Sequence, residues 1–142
     1  MFSLEMNNYF LIPTILFCIF GGLGSVCRCV ATRKISLIYK NKKNVPVATL
    51  FINIAASFAL GVATNLILLL SYEIFSVFAV SIVTGFLGGF STFSTAIFEG
   101  VNLIQNKRIK NGIFLLFAEL LMPLLAASFG YVGSQILLTL FI

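Results

Sequence analysis

Read for polarity alone, the chain is four long apolar runs separated by three short polar breaks. The runs extend from about Tyr9 to Val30, Val45 to Leu70, Ile74 to Ile104, and Ile113 to the C-terminus. Each reaches the roughly 20 residues needed to cross the hydrocarbon core. In lipid such a run must satisfy its own backbone, so each is predicted to be a helix. The breaks are RKISLIYKNKKN, SYE and QNKRIKN. They leave room for one four-helix transmembrane domain over residues 1–142 and for no soluble one. No fixed-period repeat or low-complexity tail is visible.

Polar residues inside these runs are the informative exceptions, because at membrane depth they turn toward a bundle interior or a wet path. In the second run Thr49, Asn53, Ser57, Gly61 and Asn65 recur every fourth position and form one helical stripe. The stripe is either a close-packing seam or the lining of a polar route. Asn53 favours the route, since its amide carries two donors that need partners. In the first run Gly21, Ser25 and Arg28 share a side. Arg28 either snorkels to the interface or points inward, where it would attract anions. Glu99 and Glu119 are the acids clearly within runs; each is an internal acceptor or a proton carrier.

The third run holds GFLGGFSTFSTAIFE, residues 85–99. Gly85, Gly88 and Gly89, followed by Ser91, Thr92, Ser94 and Thr95, are poor at continuing a helix. A break at membrane depth frees carbonyls that suit a cation, and N–H groups and hydroxyls that suit an anion. Phenyl rings presented edge-on add a positive rim. The same residues also fit a tight GxxxG-like crossing with a kink.

Composition agrees with the pattern. The 142 residues are 60% hydrophobic and 9% charged, with a mean hydropathy of +1.11, far below the ~25% charge of a soluble domain. A soluble-type enzyme is excluded, and no nucleophile–base pair or phosphate loop is visible. No signal peptide is read at the N-terminus. There is no His, and Cys18, Cys27 and Cys29 are odd in number without a CxxC pair; they read as small packing residues. Arg33, Lys34, Lys40, Lys42 and Lys43 lie in the first break, and Lys107, Arg108 and Lys110 in the third. With four spans these breaks share one side, and the other side carries no Lys or Arg. The positive-inside rule makes both basic loops cytoplasmic and both termini external, in a multi-pass protein of the cell membrane. The net charge of +5 then reflects topology and implies no nucleic-acid partner.

Three segments carry a resemblance. GGLGSVCR resembles GGxxGAxxR, PVATLFINIAASFALG resembles PxGTLxxNxxGSFxxG, and GFLGGFSTFSTAIFE resembles GFxGGFTTFSTFxxE. In this order and at this length they resemble the Fluc (CrcB-type) fluoride channel family. The resemblance implies an all-α membrane protein whose third helix is broken near the midplane, forming an antiparallel dimer with two narrow fluoride pores. It implies passive export of fluoride, and a structural sodium ion held by the backbone carbonyls of Gly88 and Ser91. It places Asn53, Phe93, Thr49, Thr92, Ser94 and Arg28 along the fluoride path, and the motif glutamate at Glu99. Ser128 is a candidate for the fourth span. Departures stand at Ala96, where the family's second phenylalanine falls, and at Ala48, Ala56 and Ser91.

An antiparallel homodimer needs one sequence that inserts both ways. Eight basic residues against none should fix one orientation. The chain is therefore expected to be one subunit of a heterodimer with a paralogue of inverted topology. Two rivals are a non-conducting assembly subunit and a small proton-coupled multidrug exporter. The exporter family carries its acid in its first helix, where this chain has none.

Overall fold

The computed structural model describes residues 2–38, 46–69 and 73–141, all helical apart from short connections. Helix α1 is Phe2–Ile38, α2 Ala48–Leu69, α3 Glu73–Phe90, α4 Phe93–Gln105 and α5 Ile109–Phe141. Four segments are long and apolar enough to cross a membrane: Leu11–Ile38, Ala48–Leu68, Val77–Gln105 and Ile109–Leu140. The third is α3 and α4 joined end to end, and its break at Ser91 and Thr92 falls halfway along it. The break expected from GFLGGFSTFSTAIFE is thus present.

Two boundaries differ from the polarity pattern. Helix α1 continues past Val30 to Ile38, so Arg33 and Lys34 are exposed residues within it and not part of a loop. Polar side chains do not stop a helix whose backbone ladder is intact. Lys40, Lys42 and Lys43 of the first break, and Ser71 and Tyr72 of the second, lie outside the described residues. The third connection shrinks to a turn at Asn106–Arg108, where Lys107 adopts φ 60° and the Arg108 N–H donates to the Leu103 carbonyl at 2.9 Å.

Helices pair through glycine. A Cβ at Gly24 would strike the carbonyl of Phe86, one at Gly89 the carbonyl of Gly21, and one at Gly85 the backbone of Phe17. Backbone meets backbone along the whole α1–α3 contact, the close approach that small residues permit in lipid. Residue numbers rise together along it, so α1 and α3 run parallel. Helices α2 and α5 also pack closely, with Gly61 abutting Ala127 and Gly130 abutting Phe58, and they too run parallel, since Asn53 bonds Glu119 and Asn65 bonds Ser134. Parallel pairing puts the C-terminal ends of α1 and α4 at one end of the bundle, together with Arg33 and Lys34 of α1 and Lys107, Arg108 and Lys110 just after α4. The chain's large apolar side chains face outward almost throughout, and Cys18, Cys27 and Cys29 are free and exposed. Its buried interior is small: Ala48, Ile52 and Ala56 of α2, Ala96 and Leu103 of α4, and Leu115 of α5.

Candidate functional site

The site grows from the interrupted ladder of the third span. Ser91 N–H still donates to the Leu87 carbonyl at 2.8 Å. One residue later the pattern changes, because Thr92 is extended (φ −155°, ψ 122°). Its N–H, which an unbroken helix would give to the Gly88 carbonyl, goes to Asn53 Oδ1 at 2.8 Å. Asn53 Nδ2 donates back to the Thr92 carbonyl at 2.9 Å. One buried amide from α2 thus satisfies both polar groups of the residue at the break, as lipid depth requires. Thr92 also caps α4: its Oγ1 accepts the Thr95 N–H at 3.4 Å and lies 3.2 Å from the Ser94 and Thr95 hydroxyls. The negative end of α3 and the positive end of α4 meet here.

Two carboxylates flank this junction, Glu99 of α4 and Glu119 of α5, and bond to successive turns of α2. Thr49, 2% exposed, donates to Glu99 Oε1 at 2.9 Å. Asn53, 6% exposed, donates its second Nδ2 hydrogen to Glu119 Oε2 at 2.8 Å. Glu99 Oε2 and Glu119 Oε1 are buried without a hydrogen-bond partner. Farther along the stripe Asn65 donates to Ser134 Oγ at 2.9 Å, and Ser57 is half-buried. The stripe of α2 is therefore a packing seam against α5 and a polar line at once.

Arg28 is half-buried and turned inward, its Nη1 donating to the Ser91 carbonyl at 3.3 Å. Ser25 Oγ, one turn earlier, reaches the Gly89 carbonyl at 3.3 Å. Arg28, Arg33, Ser36, Thr49, Thr92 and Thr95 line a groove of about 700 Å³ that ends at the junction. Two guanidiniums over a hydroxyl-lined floor give an electropositive entrance. On the other side of the break, Gly88 and Ser91 border a cavity of about 120 Å³ with Ser57 and Thr84.

Residues 15–131 match the protein family described as "CrcB-like protein, Camphor Resistance (CrcB)". The chain belongs to this family. Among its relatives, the "Fluoride-specific ion channel FluC 1" of Bifidobacterium longum (strain NCC 2705) is 36% identical over 80% of this chain and 88% of the relative. "FluC 3" of the same strain is also 36% identical, over 82% and 93%. The "Fluoride-specific ion channel FluC" of Campylobacter fetus subsp. fetus (strain 82-40) is 34% identical over 83% and 91%.

Among the residues that the sequence resemblance singles out, the structure pairs Thr49 with Glu99 and Asn53 with Thr92, and sets Arg28 on the neighbouring Ser91 carbonyl. Phe93 and Ser94 point outward, Phe93 being 58% exposed. Ala96 is fully buried, on the inward face of α4 with Gly100 and Leu103. The position of the missing ring therefore faces this chain's own core, while Phe93 faces away from it. Ser128 does not join the cluster: it is exposed and bonds the Leu124 carbonyl of its own helix at 3.1 Å. The α5 member of the cluster is Glu119. Its signal in the sequence was a carboxylate in an apolar run; its partner was not readable without the α2–α5 register.

Proposed function

We propose that this chain is a subunit of a passive fluoride channel, with no enzymatic activity, that lets fluoride leave the cytoplasm. The observation that carries the reading is the broken third helix clamped by Asn53, in a chain whose relatives are named fluoride-specific ion channels. Arg28 and Arg33 draw anions into the groove, and its floor of Thr49, Thr92 and Thr95 offers hydroxyl donors. Phe93 and Ser94, exposed on this chain, extend the path where a second subunit closes over them.

A sodium ion at the dimer centre is part of the proposal. The Gly88 carbonyl stands at a helix C-terminus, and the N–H that would have bonded it is diverted to Asn53. Neutral carbonyl oxygens at the negative end of a helix suit a hard monovalent cation. Gly88 is exposed and nothing lies within 4 Å of its would-be Cβ, which leaves room for a second copy of the site. The Ser91 carbonyl already accepts Arg28 and would offer the ion its remaining lone pair. The bound ion would supply fixed charge and hold two breaks together.

The charge bias supports a second subunit that is an inverted paralogue, and Bifidobacterium longum (strain NCC 2705) is a case in which one strain has relatives numbered FluC 1 and FluC 3. The test is fluoride efflux from liposomes, followed with a fluoride electrode, for this chain alone and with its candidate partner. Fluoride efflux with partner present, chloride held back, and little efflux from the chain alone is the expected result. Robust conduction by cross-linked homodimers would sink the heterodimer, and no fluoride flux in either preparation would sink the channel.

A further inference from the structure

Glu119 has no part in the function just described. It is 3% exposed, lies outside the three motif segments, and keeps one oxygen without a partner. Its other oxygen holds an N–H of Asn53. The Asn53 amide has two N–H groups, and the second goes to the Thr92 carbonyl while Oδ1 takes the Thr92 N–H. Neither N–H is left for an anion. The two bonds to Thr92 hold the broken backbone together, so the bond to Glu119 is the exchangeable one.

We propose that Glu119 is an internal rival of the permeating anion: its carboxylate holds the Asn53 N–H that fluoride would take, and the ion passes Asn53 only when that carboxylate lets go. Glu119 is thus a positioning residue that acts through Asn53, and the inference rests on the fluoride-channel reading. Helix α5 is suited to the exchange. Pro123 lies one turn beyond Glu119 and has no N–H for the Glu119 carbonyl, so the helix lacks a ladder hydrogen bond at the turn that carries the carboxylate. Among the described residues, no basic side chain on the helices packed against α5 offsets the charge. The helices packed against α5 are α2 and α4; α2 has no charged residue and α4 contributes only Glu99. From α1, Arg28 is engaged with the Ser91 carbonyl, and Arg33 lines the groove. A fluoride ion at Asn53 would sit between two carboxylates, which adds like-charge repulsion to competition for one donor.

The experiment compares wild type, Glu119→Gln and Glu119→Ala in proteoliposomes, for the chain alone and with its partner. Glu119→Gln keeps the shape and can still accept from Asn53, so a size-exclusion profile like wild type shows that the fold is kept. Replacing a charge-assisted hydrogen bond with a neutral one is expected to raise fluoride efflux about tenfold. Glu119→Ala should raise it at least as far. Infrared difference spectra of wild type, with fluoride minus with chloride, should show a carboxylate band that shifts and that is absent in Glu119→Gln. A merely structural glutamate would not produce that band. Fluoride flux in wild type with equal or lower flux in both variants, or a difference spectrum unchanged by Glu119→Gln, overturns the inference and leaves the channel standing. No fluoride flux in any variant or assembly, with no fluoride-dependent band, overturns the channel reading and this inference with it.

Discussion

Asn53 joins three elements with one amide, since α2, the α3–α4 break and α5 all meet on it. Asn53→Leu would strand the Thr92 N–H, the Thr92 carbonyl and the Glu119 carboxylate. Each buried orphan costs about 1–3 kcal/mol, so a loss of about 3 kcal/mol or more of stability is expected, read as a lower midpoint of thermal unfolding in detergent. Fluoride efflux should fall with it. Ser128→Ala is the contrast, because Ser128 bonds only its own helix; its unfolding midpoint should match wild type. Asn53, Thr49 and the break were legible in the sequence, because a four-residue spacing fixes a helical face whatever it packs against. The Asn53–Glu119 bond was not, since it depends on how far α5 slides along α2. The direction of Arg28 was equally hidden. In the sequence it stands close to the first polar break, yet α1 runs on to Ile38 and carries it inward.

Among the elements, the two glycine seams decide what can change. At Gly89 an added Cβ meets the backbone carbonyl of Gly21, which cannot rotate away. Gly89→Ala should therefore separate α1 from α3 and disturb Ser25 and Arg28, which bridge them. At Gly88 the same methyl meets nothing within the chain. Gly88→Ala is thus expected to leave the isolated chain's unfolding midpoint near that of wild type while reducing fluoride flux of the assembled channel. Equal loss of thermal stability in the two variants would show that Gly88 serves packing inside one chain. The glycines of residues 85–99 first read as either a break or a tight crossing. Both are present, with Gly85 and Gly89 in the seam and Gly88 turned away from it. A single sequence cannot separate these roles, because adjacent glycines differ only in the face they occupy.

For the whole molecule, the one-sided charge leads to an expectation about insertion direction. Parallel packing of α1 with α3 and of α2 with α5 places Arg33, Lys34, Lys107, Arg108 and Lys110 at one end of the bundle. Replacing Lys107, Arg108 and Lys110 with Gln should weaken the bias and let a fraction of chains insert upside down. Labelling of an introduced Asn106→Cys, in a background without the three native cysteines, reads that fraction from each side of the membrane. Wild type should label from the cytoplasm only. The exposed side of the break has a further consequence for a chain without its partner. Gly88, Phe93 and Ser94 lie on its outer surface, so an unpaired copy would present a gap in its helical ladder to lipid tails that offer it no hydrogen bond. On the proposed assembly such a copy is expected to be cleared by membrane proteases, so lowering the amount of partner should shorten its lifetime in a pulse–chase measurement.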